Sequence, residues 1–278
     1  MLRLRVITAV ILLIPLLLSL VVASPVPFAL LTLLFIAAAG WEWARLNQAG
    51  AALPYVFALA VALVCAAALA AGWAAPDAAW WAVALLWVAG GALALRSGPA
   101  AWPHLPRAAR WIIGLFALAA AWLAMSRARA IGINFMLSIF CLVWMADIAA
   151  YFGGRTFGRR KLAPSISPGK SWEGVASGMA GVLLLAFVWT RIDAAFGVDG
   201  PSLYSVLVRQ LGWALALPAL LFLAAMSVVG DLVESLVKRA AGAKDSSRLL
   251  PGHGGVLDRL DALLPVFPVA LALAGWQR

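Results

Sequence analysis

An all-α, polytopic integral membrane protein is the fold class this sequence predicts, and three observations predict it. Hydrophobic residues make up 65% of the chain against 12% charged ones, and the mean hydropathy is +1.00; soluble domains run at about 45–50% apolar and about 25% charged. Apolar runs near the roughly 20 residues that cross a bilayer recur along almost the whole length. Lys and Arg gather in alternate connections between those runs, as the preference for cationic cytoplasmic loops requires.

The runs fall at 6–23, 26–44, 54–73, 79–95, 109–125, 131–152, 175–190, 211–230 and 259–276, about nine expected spans. Arg3 and Arg5 ahead of the first run, with Val22-Ala23-Ser24 behind it, imitate a secretory leader. The run is longer than a leader's apolar core and more spans follow, so it reads as a retained helix. Trp41, Trp73, Trp80, Trp111, Tyr151 and Trp276 at run ends fit interfacial anchoring. With the N-terminus inside, the nine spans put 16 of the 21 cations in the cytosol and leave Arg127, Arg129, Arg191, Arg209 and Arg278 outside. Arg127 and Arg129 fit this pattern least well.

The net charge of +10 has no soluble basic domain to occupy, so anionic lipid headgroups are the expected attraction and nucleic acid is not. Cys65 and Cys141 lie inside apolar runs without disulfide or zinc spacing and read as packing residues. No linker, low-complexity tract or repeat divides the chain, which reads as one structural unit.

Chemistry concentrates in two polar regions. The first runs from Asp147 through Tyr151, Gly153-Gly154-Arg155 and Arg159-Arg160-Lys161 to Ser167-Pro168-Gly169-Lys170-Ser171 and Gly174. Glycines let a backbone approach a ligand, hydroxyls and amides donate to phosphate oxygens, and cations neutralise them. Gly169-Lys170-Ser171 lacks the upstream glycine and preceding strand of a phosphate-binding P-loop, which excludes that motif.

The second region, from Asp231 to Asp261, holds five of the 11 acidic residues: Asp231, Glu234, Asp245, Asp258 and Asp261. Carboxylates near lipid are costly and need compensation, for which a divalent metal or a polyphosphate is the natural partner. Helical spacing puts Ser227, Asp231, Glu234, Ser235 and Lys238 on one face at the end of the eighth span. Pro251, Gly252, Gly254 and Gly255 then make a permissive loop around His253, and Asp258 and Asp261 open the next helix one turn apart. Two helix ends can thus present carboxylates to one point. Hard oxygen ligands suit Mg²⁺, which keeps waters and takes one or two carboxylates plus substrate phosphate. Asp231 and Asp258 are the preferred metal ligands, with Asp261 and Asp245 behind them.

These residues resemble the phosphatidate cytidylyltransferases, the CDP-diacylglycerol synthases. Ser235, Lys238, Arg239, Lys244, Asp245, Pro251, His253, Gly254, Gly255, Asp258, Arg259 and Asp261 reproduce that family's spaced pattern without departure. Asp147, Ala150, Tyr151, Ser167, Pro168, Lys170, Ser171 and Gly174 match its upstream elements, with Ile148 standing where a small hydroxyl residue is usual. The resemblance covers roughly residues 140–275; residues 1–130 match in hydrophobic character only. It implies transfer of CMP from CTP to phosphatidate, a Mg²⁺ requirement, an all-helical membrane fold and a homodimer. In that reading residues 131–278 are catalytic and 1–130 a scaffold or dimer region. Lys238, Arg239, Lys244 and Arg259 bind triphosphate or lipid phosphate, and His253 with the amides of Gly254 and Gly255 orients a phosphate oxygen.

Two rival readings remain at this level: a CTP-using lipid or polyprenol kinase, and an ion-coupled transporter using Asp147 and Asp231. Glu42 and Glu173 read as interfacial residues paired with Arg45 or Lys170, Arg159, Arg160 and Lys161 equally as topogenic charge or headgroup ligands, and His104 and Arg248 carry no assignment.

Overall fold

Apolar runs joined by short connections force the chain back and forth across one slab. The computed structural model describes residues 2–72, 75–196 and 199–275, and the expected anchors Trp73 and Trp276 lie outside them, as does Arg278. The helices are α1 Leu2–Val21, α2 Val26–Leu46, α3 Leu53–Ala70, α4 Asp77–Ser97, α5 Arg107–Ile131, α6 Ile133–Phe157, α7 Trp172–Ala195, α8 Leu203–Ala240, α9 Leu257–Leu260 and α10 Leu263–Ala274. Among the described residues, seven of them, α2 to α8, are long and apolar enough to cross a membrane, and α1 adds 20 residues. The protein is a polytopic membrane protein.

Hydrogen bonds at the two ends of the bundle fix the up-and-down order. At one end Trp43 Nε1 donates to the Arg110 carbonyl at 2.9 Å and Trp102 Nε1 to Asn47 at 2.8 Å, joining α2 to the start of α5. At the other, Asn134 Nδ2 reaches Asp193 at 2.9 Å and Gln210 Nε2 the Ala274 carbonyl at 3.0 Å. Arg129 sits at this second end because it has carbonyls to satisfy: it is buried and donates to the Val22 oxygen at 2.8 Å, just past the last turn of α1. Trp80, expected as an interfacial anchor, is buried instead.

Three departures from the expected elements matter for the site. A two-stranded antiparallel hairpin, β1 Lys161–Ala163 and β2 Ser167–Ser171, connects α6 to α7. Helix α8 runs well past the expected span, bends at Gly212 (φ 66°) and carries its polar face on to Ala240. The expected last span is broken into the single turn α9 and the 12-residue α10. At 1.5 Å per residue α10 is about 18 Å long, short of the roughly 30 Å hydrocarbon layer. It is buried from Leu263 to Ala272, packed among α4, α5, α6 and α8. Pro265 has no N–H to give the Asp261 carbonyl, and Gly230 of α8 lies so close that a Cβ there would meet that carbonyl and the Pro265 ring. The break between α9 and α10 is thereby clamped against Asp231.

Candidate active site

The first polar region and α8 enclose a cavity of about 460 Å³. Helix α6 contributes Asp147, Tyr151 and Arg155, β2 contributes Ser167, Lys170 and Ser171, and α8 contributes Asp231. Its back wall is the contact of α6 with α7, where Gly174 and Gly178 face carbonyls of α6. A Cβ on Gly174 would sit 2.9 Å from the Ala150 oxygen and one on Gly178 2.7 Å from that of Ala146. Small residues at i and i+4 let the two backbones touch, as in many membrane helix pairs. Ser171 Oγ accepts from Gly174 N at 3.2 Å, so this side chain caps α7 as well as lining the cavity.

Lys170 points across this cavity to Asp231, with Nζ 2.5 Å from the carboxylate, and Ser235 Oγ donates to the same group at 3.2 Å. Glu173 therefore has another partner than the expected Lys170: its carboxylate accepts the backbone amides of Arg159 and Arg160 and the Arg160 guanidinium, fastening the start of the hairpin. Asp147, Lys170 and Asp231 share this cavity, and Asp261, which does not line it, lies within electrostatic range of Asp231 and Asp147 and also of Lys238 and Glu234.

Asp258 belongs to a second group. One oxygen accepts Lys238 Nζ at 2.7 Å, and the other accepts Gly255 N at 2.8 Å, Ser246 N at 3.0 Å and Ser246 Oγ at 3.0 Å. Lys238 also pairs with Glu234, one turn back on α8. Burial opposes the charge on Asp258, but the Lys238 ammonium and the loop donors prevail and hold its carboxyl down at about 2. Lys238 is thus shared between two carboxylates instead of presented to a phosphate. Arg239 is likewise a brace, donating to the Ile166 carbonyl in the hairpin at 3.2 Å and to Ala243 at 3.3 Å.

A third group lies on the loop between α8 and α9, around a cavity of about 670 Å³ lined by Lys244, Asp245, Arg248, His253, Gly254 and Arg259. The loop closes on itself: Leu250 N donates to the Gly254 carbonyl and His253 N to that of Leu250, both at 2.9 Å. Arg259 donates to the His253 carbonyl at 2.6 Å. Gly254 takes φ +84°, and a side chain there would crowd Asp258. His253 Nδ1 is buried without a hydrogen-bond partner among the described residues.

The expected pairing of Asp231 with Asp258 on one ion is not what the side chains present. Asp231 opens on the first cavity, whereas both oxygens of Asp258 are taken by N–H and O–H donors. Among the described residues no group of three or more His, Cys, Asp or Glu is arranged to hold a metal. Mg²⁺ does not need such a group when substrate phosphate completes its shell, and Asp231, with Asp147 of α6 lining the same cavity, fits that mode.

Three side chains stand elsewhere than the sequence reading singles out: Arg155 is read there only as one cation of the first polar region, and Arg248 has no assignment. Arg155 and Arg248 line the two cavities. Glu42, expected at the interface beside Arg45, is fully buried and takes its hydrogen bonds from the loop that precedes α9. Nothing local in the sequence marks it.

The profile of the cytidylyltransferase family matches residues 3–275 of this chain. The chain belongs to the cytidylyltransferase family. Within the family it is similar to the phosphatidate cytidylyltransferase of Pseudomonas aeruginosa, at 39% identity over 287 aligned positions that cover 99% of each chain. The enzyme of the same name from Haemophilus influenzae is 46% identical over 137 residues, 49% of this chain and 44% of the relative. That of Bacillus subtilis is 39% identical over 137 residues, 49% of this chain and 46% of its own.

Proposed function

We propose that this cytidylyltransferase joins CTP and phosphatidate to give CDP-diacylglycerol and pyrophosphate. The full-length similarity to a phosphatidate cytidylyltransferase supports the chemistry. The observation that carries the site is the Lys170–Asp231 pair in a cavity made by the ends of membrane helices, where a lipid phosphate can reach both a cation and a metal-binding carboxylate.

An oxygen of the phosphatidate phosphate attacks the α-phosphorus of CTP. The new P–O bond forms as the bond from that phosphorus to the bridging oxygen breaks, and pyrophosphate leaves with the electron pair. The attacking group is already an anion, so positioning and charge neutralisation matter more than a strong base. Lys170 and Arg155 hold the lipid phosphate, with Tyr151, Ser167 and Ser171 on the same wall. Lys244, Arg248, Arg259 and His253 receive the triphosphate on the loop, where the Gly254 and Gly255 segment keeps its backbone near. Asp231, with Asp147 and Asp261 behind it, would hold Mg²⁺, which when bound polarises the phosphoryl group and offsets the charge of the leaving pyrophosphate. Asp258 and Ser235 serve by holding Lys238 and Asp231 in place.

The proposed setting is a bacterial cytoplasmic membrane with the site toward the cytosol, supported by the cation excess at that end. Residues 1–130 act as scaffold, and a homodimer, which the resemblance implies, is the proposed assembly.

Purified protein given radiolabelled CTP, phosphatidate and Mg²⁺ is expected to yield labelled CDP-diacylglycerol and free pyrophosphate. Release of CDP with a phosphorylated lipid would instead identify a kinase, and ion flux without any turnover a transporter.

A further inference from the structure

Glu42 lies on α2, in the half of the chain where the sequence shows no chemistry, yet its carboxylate is a hub of the substrate loop. Oε1 accepts Ser247 Oγ at 2.5 Å and Val256 N at 3.0 Å, and Oε2 accepts Ser246 Oγ at 3.1 Å and Leu257 N at 2.6 Å. The residue is 0% exposed. Gly255 passes so close that any Cβ there would strike both this carboxylate and Ser246. The platform beneath is fixed: the next residue, Trp43, is tied to α5 through the Arg110 carbonyl, and Asn47 is tied to Trp102.

We propose that Glu42 is a positioning residue for the nucleotide loop, setting the shape of the cavity that Lys244, Arg248, His253 and Arg259 line. It grips both sides of that cavity's rim, Ser246 and Ser247 before the turn and Val256 and Leu257 after it. The Ser246 backbone N–H donates to Asp258 at 3.0 Å, so the loop is stretched between two carboxylates, one from α2 and one from α9. A carboxylate is the only side chain of this size with four acceptor sites and no donor. Glutamine would place an NH₂ group against Val256 N–H in one orientation and against Leu257 N–H in the other. The serine hydroxyls can turn to accept it, but a backbone amide cannot.

This inference rests on the reading that CTP phosphates occupy the loop cavity while the lipid phosphate uses Lys170. A loosened loop then weakens CTP selectively. In the full-length protein, Glu42→Gln is expected to raise KM for CTP about tenfold or more, in the range typical of lost outer-shell support. KM for phosphatidate should stay within about twofold, a split that general destabilisation does not produce. Ser246→Ala, which touches Glu42 but does not line the cavity, should shift the same constant in the same direction by less, and decides the matter if Glu42→Gln fails to insert. Unchanged KM for CTP, or equal rises for both substrates, in an active wild-type background would overturn the role of Glu42. A wild-type protein that makes no CDP-diacylglycerol would instead overturn the reading on which it stands.

Discussion

Asp231 and Asp258 have the same side chain and lie at neighbouring helix ends, yet their surroundings are opposite in kind. Asp231 meets a single cation, Lys170, and looks into an open cavity. Asp258 is enclosed by Lys238, Ser246 and Gly255 and lines neither of the two cavities described. A carboxylate with free acceptor capacity can take an incoming ion. One whose lone pairs are filled by fixed donors is a structural anchor, and removing it leaves those donors exposed to desolvation without return. Residue type and spacing do not distinguish these cases, because the distinction lies in who donates.

The sharpest test is Asp231→Asn. It is expected to lower turnover by at least about a hundredfold, the scale for losing one group that stabilises developing charge, while the detergent-solubilised protein keeps its unfolding midpoint. Near-wild-type turnover with CTP, phosphatidate and Mg²⁺ would remove Asp231 from the chemistry. Asp258→Asn should act on stability first. Lys238 and Asp258 are 11% and 8% exposed at their side chains, and breaking one partner of a buried pair costs about 3–5 kcal/mol, so chemical unfolding should shift to lower denaturant. An Asp258→Asn protein as stable as wild type but inactive would erase the contrast and restore Asp258 as a direct participant. The smallest effect belongs to Lys170→Ala, expected to raise KM for phosphatidate about tenfold, the worth of roughly one charge-assisted hydrogen bond. A rise confined to KM for CTP would show that the two phosphates are exchanged between the cavities.

Much of this arrangement was readable from residues alone. The face of α8 carrying Ser227, Asp231, Glu234, Ser235 and Lys238 stands out because helical periodicity in an apolar run leaves few places for charge, and the glycines around His253 mark a loop. Other features were hidden for physical reasons. Glu42 is bonded to Ser246 across 204 positions, and a hydrogen bond of that span leaves no trace in local spacing. The hairpin strand Ser167–Ser171 contains Pro and Gly and no β-branched residue, so its pairing with Lys161–Ala163 is set by the chain reversal between α6 and α7, not by propensity. The last apolar run has span-like composition, but Pro265 and the close passage of Gly230 break it, and composition does not record contact with α8. Arg248 had no spacing to commend it, and Arg129 looked misplaced because charge statistics ignore which carbonyls a guanidinium must satisfy.

The tie between Glu42 and the loop also sets an order on biogenesis. A ribosome adding about 5–20 residues per second inserts α2 early and needs roughly 10–40 s more to supply partners 204 residues downstream. For that interval the carboxylate lacks the donors that hold it in the finished fold, and the loop between α8 and α9 cannot close on it until residue 257 has been made. The tie is therefore a late event in synthesis, and a ribosome that stalls before residue 257 leaves behind membrane helices without it.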